Sequence, residues 1–238
     1  MTNDIWLPSE WTEESYREFQ TSLKQLSNED YKKFNARLIP DTPLAYGIRI
    51  PTVRKIACAI LQTDYLAYLQ LPKSSYHEEV ILEGLVMAGI PCSYPEMLQY
   101  MKSFSLKIYN WAINDTVVFK GIKKYTDQFI TDADDFVFHE NPWVQRFGYL
   151  HLMNFCLTEA HIDAVLNKVD AVNSDFYYVQ MMQAWLLATA IAKQRDQTIA
   201  YLTGTNHLNE TTFKMTVRKA RESFRVSSED KALLKSIL

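Results

Sequence analysis

Three segments each place a tryptophan near a polar partner. In NWAINDTV, Trp111 and Asp115 lie four residues apart, so on a helix the indole and the carboxylate share one face. In NPWVQRFGY, Arg146 follows Trp143 by three, and in YYVQMMQAWLLATA, Trp185 stands eight after Tyr177, on one stripe two turns long. Successive helical pairs would thus supply two aromatic faces, a carboxylate and a guanidinium. An indole face attracts cations by about 0.5 to 2 kcal/mol per contact. A carboxylate stabilises developing positive charge and can assist a water molecule. Each residue also has a plainer explanation: a tryptophan on an apolar stripe packs in a core, Asp115 pairs with a lysine such as Lys120, and a helical arginine is a solvated surface charge.

Other chemistries find no foothold. The six glycines, in a chain of 238 residues, are well below ordinary usage of about 7% and never form G-x-G-x-x-G or a P-loop, so no cradle for phosphates is offered. The five histidines give no H-E-x-x-H, and His77-Glu78-Glu79 reads as a first helical turn whose carboxylates complement the helix dipole. Cys58, Cys92 and Cys156 carry no paired spacing, which argues for buried reduced thiols rather than a zinc site or disulfides. No G-x-S-x-G is present. Neither a metal nor another cofactor is expected.

The elements that must position these residues read as short amphipathic helices. WTEESYREFQTSLKQL follows Pro8 and a capping Ser9, Asn28 caps EDYKKFNARL, and Pro40, Pro43 and Gly47 break the pattern before Pro51 opens the next helix. Further helices are expected at 65–71, 77–88, 95–104, 110–125, 142–156, 159–169, 175–192, 210–224 and 227 onward, with a break at DADD. No segment shows strand alternation bounded by hairpin turns. The expectation is an all-α chain whose helical pairs stack as an α-solenoid of degenerate HEAT-like repeats, one domain over 1–238. In such a stack equivalent helices share one concave wall; a closed irregular bundle is the other architecture this pattern allows.

At these residues the chain resembles the DNA alkylation repair glycosylases of the AlkD type, built of HEAT-like repeats. The resemblance runs from FNARLIPDTPLAYGIRIPTVRKIA through HEEVILEGLV and NWAINDTV to RKARESFRV. It implies that Trp111 and Trp185 match the aromatic pair flanking a lesion-bearing nucleotide, Asp115 the catalytic carboxylate, and Arg146 the arginine that engages the DNA backbone. The implied reaction is hydrolysis of the N-glycosidic bond of cationic N3- or N7-alkylated purines in double-stranded DNA, in a shallow concave cleft without a deep base pocket. Tyr177 and Tyr178 would line the cleft beside Trp185. Arg54, Lys55, Lys120, Lys123, Lys124 and Arg218 are candidate phosphate contacts, with Arg49, Lys214, Lys219, Arg221 and Arg225 close by. A non-catalytic HEAT-like module that binds DNA structures or a protein is the alternative, because architecture alone does not choose a function.

A net charge of −3 argues against a protein that coats nucleic acid indiscriminately. The charge is unevenly spread, however. Asp4, Glu10, Glu13, Glu14 and Glu18 crowd the start and Asp127, Asp132, Asp134, Asp135 and Glu140 the middle, whereas basic residues gather at 102–124 and 214–225. If those basic helices share a face, local field and total charge part company, leaving nonspecific affinity weak and steeply salt-dependent. The composition, 47% hydrophobic and 22% charged, is that of a globular chain. With no membrane span, no signal-peptide layout at the start and no sign of an obligate protein partner, a cytoplasmic location is expected.

Overall fold

Helix start signals recur along the chain with hardly any strand-forming alternation, and the computed structural model, which describes residues 5–39 and 44–237, is helical throughout its regular elements. Pro40 and Pro43 lie outside the described residues. The chain divides into two compact units, with the boundary between Phe119 and Lys120.

The first unit holds α1 (Glu13–Gln25), α2 (Glu29–Leu38), α3 (Ile50–Ile60), α4 (Tyr65–Gln70), α5 (His77–Gly89), α6 (Tyr94–Ser105) and α7 (Trp111–Thr116). Its centre is α5, which packs against α3, α6 and α7. Being enclosed, α5 has buried residues all round, among them Val80, Ile81, Leu82 and Val86. The same enclosure buries Glu78, Glu79 and Glu83, which must therefore find partners. Glu79 takes hydrogen bonds from the Tyr16 hydroxyl, from the Tyr46 hydroxyl at 2.5 Å and from the Gln20 amide. Glu83 accepts from Lys107 Nζ at 2.6 Å. The N-cap of α1 is Thr12 rather than the expected Ser9: its hydroxyl accepts from the Ser15 N–H while Ser15 reaches back to Thr12 N, so the reciprocal pair sets the helix start three residues later.

The second unit begins with a 3₁₀ turn (Lys120–Lys124) and continues with α8 (Thr126–Asp132), α9 (Asp134–Val137), α10 (Pro142–Phe155), α11 (Ile162–Asp170), α12 (Tyr177–Lys193), α13 (Arg195–Thr203), α14 (Glu210–Glu222) and α15 (Ser228–Ser236). Here α12 is the centre, packed between α10 and α14. Asn141 caps α10 and Asn209 caps α14 through their side-chain oxygens.

The expected single helix over 110–125 is absent. α7 ends at Thr116, Val117 turns to extended backbone, and a separate 3₁₀ turn follows. Val117-Val118-Phe119 is a β-branched and aromatic run that loses rotamer freedom in a helix. Extended, it buries Val117 and Phe119, residues that a single helical face would not accommodate two apart. The expectation of three buried thiols is also corrected: Cys58 is exposed and Cys92 half-buried, and only Cys156 sits in the core, where burial pushes its thiol up to about 12.

Candidate functional site

A helix of six residues cannot hold itself, since isolated helices below about 12 residues are marginal in water. α7 is instead tied at several points. Asn110, buried and extended, caps it by accepting the Ile113 N–H at 2.9 Å. The Trp111 indole Nε1–H donates to the Leu38 carbonyl at the end of α2, at 3.3 Å. Asn114 is buried, and its amide donates to Asp115 Oδ1 at 2.9 Å. Arg54 of α3 donates to the Thr116 carbonyl at 2.9 Å. Trp111 and Asp115 thus share a helical face, each half-buried, with the indole's edge held and one carboxylate oxygen oriented by a neighbouring amide.

The segment leading into α3 is held from beneath. Glu78, 1% exposed, accepts three backbone N–H groups: Tyr46 on Oε2 at 2.8 Å, and Gly47 and Ile48 on Oε1 at 2.7 and 3.0 Å. Gly47 adopts φ of 83°, and a Cβ there would fall 2.5 Å from the Asn28 carbonyl, so this turn requires glycine. Arg49, Arg54 and Lys55 beyond it are exposed. Arg49 lies over the Tyr31 ring at 4.9 Å.

In the second unit Arg146 is not a solvated surface charge. It is 4% exposed on α10, and Nη1 donates to the Tyr178 carbonyl at 2.7 Å. Trp143, one turn earlier, packs its ring edge-on to Phe176 at 5.2 Å and tilted against Tyr178 at 5.1 Å. The adjacent tyrosines meet edge to face at 5.2 Å but differ in exposure. Tyr178 joins that aromatic cluster, whereas Tyr177 is 51% exposed. Tyr177, Met181 and Trp185 follow at four-residue spacing along α12, and the Trp185 indole is 39% exposed, unusual for so large an apolar group. Beside this stripe, Tyr177 and Met181 line a groove of about 200 Å³ with Met215, Arg218, Lys219 and Glu222 of α14. Arg218 Nε pairs with Glu222 at 3.1 Å across one helical turn. Lys120, Lys123 and Lys124 project into solvent from the 3₁₀ turn.

Residues 19–224 match the family model described as DNA alkylation repair enzyme. The chain belongs to that family. No curated protein matches it. Among the described residues of this family member, no group of three His, Cys, Asp or Glu side chains is placed to hold a metal ion, and no helix is long and apolar enough to cross a membrane.

Of the residues expected at a site, the structure gathers Trp111, Asp115 and Arg54 at α7, Arg146 with Tyr178 at α10 and the start of α12, and Tyr177 with Arg218 at the groove between α12 and α14, whose lining does not include Trp185. Lys55 points to solvent from α3. The part played by Glu78 is not visible in the first-turn pattern, which suggests dipole compensation alone. The available signal was the setting: in HEEVILEGLV, carboxylates sit inside an otherwise apolar helix, where burial demands a partner.

Proposed function

We propose that this chain is a DNA glycosylase acting on cationic N3- and N7-alkylated purines in double-stranded DNA, with Asp115 as the catalytic carboxylate. The alkylated base carries a fixed positive charge, so cleavage of its C1′–N bond returns the electron pair to nitrogen and releases a neutral base. No general acid is needed for that departure. The sugar is left oxocarbenium-like, a water oxygen adds to C1′, and the water's proton must be taken up. A carboxylate at C1′ stabilises the cationic sugar and accepts that proton.

The observation that carries this reading is the fixing of Trp111 and Asp115 on one turn: the indole is tied through Nε1 to Leu38, and the Asn114 amide orients the carboxylate. In this reading the Trp111 face receives the cationic base and the Asp115 carboxylate the cationic sugar. Membership of the DNA alkylation repair enzyme family supports the substrate class. The exposed Trp185 and Tyr177 serve as a second aromatic face, Lys55, Lys120, Lys123, Lys124 and Arg218 contact phosphates, and Arg146 engages the sugar-phosphate backbone by leaving the Tyr178 carbonyl that holds it in the free chain. A single HEAT-like solenoid over the whole chain, acting in the cytoplasm on an open cleft, belongs to the same proposal. An open cleft selects by charge, so neutral lesions are poor substrates.

The test is release of 7-methylguanine from methylated duplex. Wild-type chain frees the base and Asp115→Asn does not, while both bind duplex alike. Undiminished release by Asp115→Asn removes the role given to that carboxylate, and duplex binding without any release points to a binding module.

A further inference from the structure

Arg54 belongs by residue type among the candidate phosphate contacts, yet its guanidinium is already directed elsewhere. Nη2 donates to the Thr116 carbonyl at 2.9 Å, across 62 residues of sequence. Thr116 is the last residue of α7 and the immediate neighbour of Asp115. The last carbonyls of a helix have no partner within it. Here the Ile113 carbonyl is taken by Val117 N–H at 3.3 Å, and the chain beyond is extended, so no further turn of α7 supplies a donor to Thr116. A guanidinium at that end satisfies the carbonyl and complements the negative pole of the helix.

We infer that Arg54 is a positioning residue for Asp115, locking the C-terminal end of the short α7. The inference rests on the reading of Asp115 given above. Its anchor is itself rigid. Arg54 stands on α3, whose Val53, Ile56, Ala57 and Ile60 are buried and which packs on α5. The segment leading into α3 is pinned by the three N–H groups on Glu78. α7 is therefore held at its start by Asn110 and Trp111 and at its end by Arg54, and the last of these lies one peptide from the carboxylate. Without it, the polar tie at the end that carries Asp115 is lost, the Thr116 carbonyl loses that donor, and the packing of Val117 and Phe119 just beyond is left to hold that end.

The full-length chain, Arg54→Ala and Arg54→Lys are compared by amide hydrogen exchange of the 111–119 segment, by single-turnover release of 7-methylguanine, and by duplex affinity across salt concentrations. For Arg54→Ala we expect exchange in 111–119 to quicken about tenfold, as loss of one charged hydrogen bond at a helix end would give. The single-turnover rate should fall by about as much, with the duplex Kd and its salt slope unchanged. Arg54→Lys, which keeps a cationic donor, should recover part of both. If Arg54 instead contacts phosphate, Arg54→Ala weakens duplex binding, lowers the salt slope by about 0.9 and leaves 111–119 exchange as in wild type, which overturns the inference. Should the wild-type chain release no base, the reading of Asp115 fails, while the exchange result still decides whether Arg54 holds α7.

Discussion

Glu78→Gln offers a sharp perturbation, because it changes one atom at a buried point where three backbone donors converge. Oε1 accepts from Gly47 and Ile48, and Oε2 from Tyr46. A glutamine can keep its oxygen toward Gly47 and Ile48, but its NH₂ then faces the Tyr46 N–H, donor against donor. Loss of one charged hydrogen bond costs about 1.5 to 3 kcal/mol, and stranding a buried N–H costs about 1 to 3 more. Relief from burying a charge works in the opposite direction. The net expectation is about 2 to 4 kcal/mol of destabilisation, or a fall in Tm of about 5 to 15 °C for a chain of this size. Urea and thermal unfolding followed by circular dichroism measure it, and hydrogen exchange at 46–48 locates it. A loss below about 0.5 kcal/mol would refute the idea that this carboxylate organises the segment leading into α3. Such a result would leave a merely dipole-compensating Glu78, as the sequence pattern alone had it.

Two further outcomes concern the cores of the units. His151 is fully buried, its Nδ1 lies 2.8 Å from the Phe147 carbonyl, and burial pushes its pKa down from 6.5 to about 4. Below pH 6.5 the unfolded chain binds a proton that the folded chain refuses. Its effect on stability is therefore nil above that pH and grows unfavourable as pH falls toward 4, reaching about 3 kcal/mol. Stability-versus-pH curves of wild type and His151→Phe should accordingly run parallel above pH 7 and converge or cross between 6.5 and 4; parallel curves throughout would contradict the assignment. Gly84→Ala would place a Cβ 2.4 Å from the Phe104 ring and 2.8 Å from Val117 Cγ2, just past α7. Overpacking of this kind costs about 1 to 3 kcal/mol, and displacement of Val117 should also slow base release. An unfolding midpoint within a degree of wild type would show that α5 and α6 yield more easily than their packing implies.

Much of the local structure was legible from residue order alone, because it depends on contacts within a few residues. Asn28 capping α2, Pro51 within the first turn of α3 and Pro142 opening α10 are each local hydrogen-bond or φ effects, readable from the chain. So was the shared face of Trp111 and Asp115, which needs only one helical turn. The early stop of α7 was less legible. Helical periodicity continues past Thr116, and the decision for extended backbone came from two buried side chains, Val117 and Phe119, that only the assembled core accommodates.

Tertiary structure alone decided the roles of the charged groups. A carboxylate or guanidinium has the same formula in solvent and in a core, and its partner can lie anywhere along the chain. Glu78 meets donors some 30 residues earlier, Arg54 finds a carbonyl 62 residues later, and Arg146 reaches Tyr178 across 32. Residue types and spacing determined an all-helical chain with aromatic and charged side chains on common faces. Which of those charges lies in water and which holds the backbone in place depends on desolvation and long-range packing, and these exist only once the helices have come together.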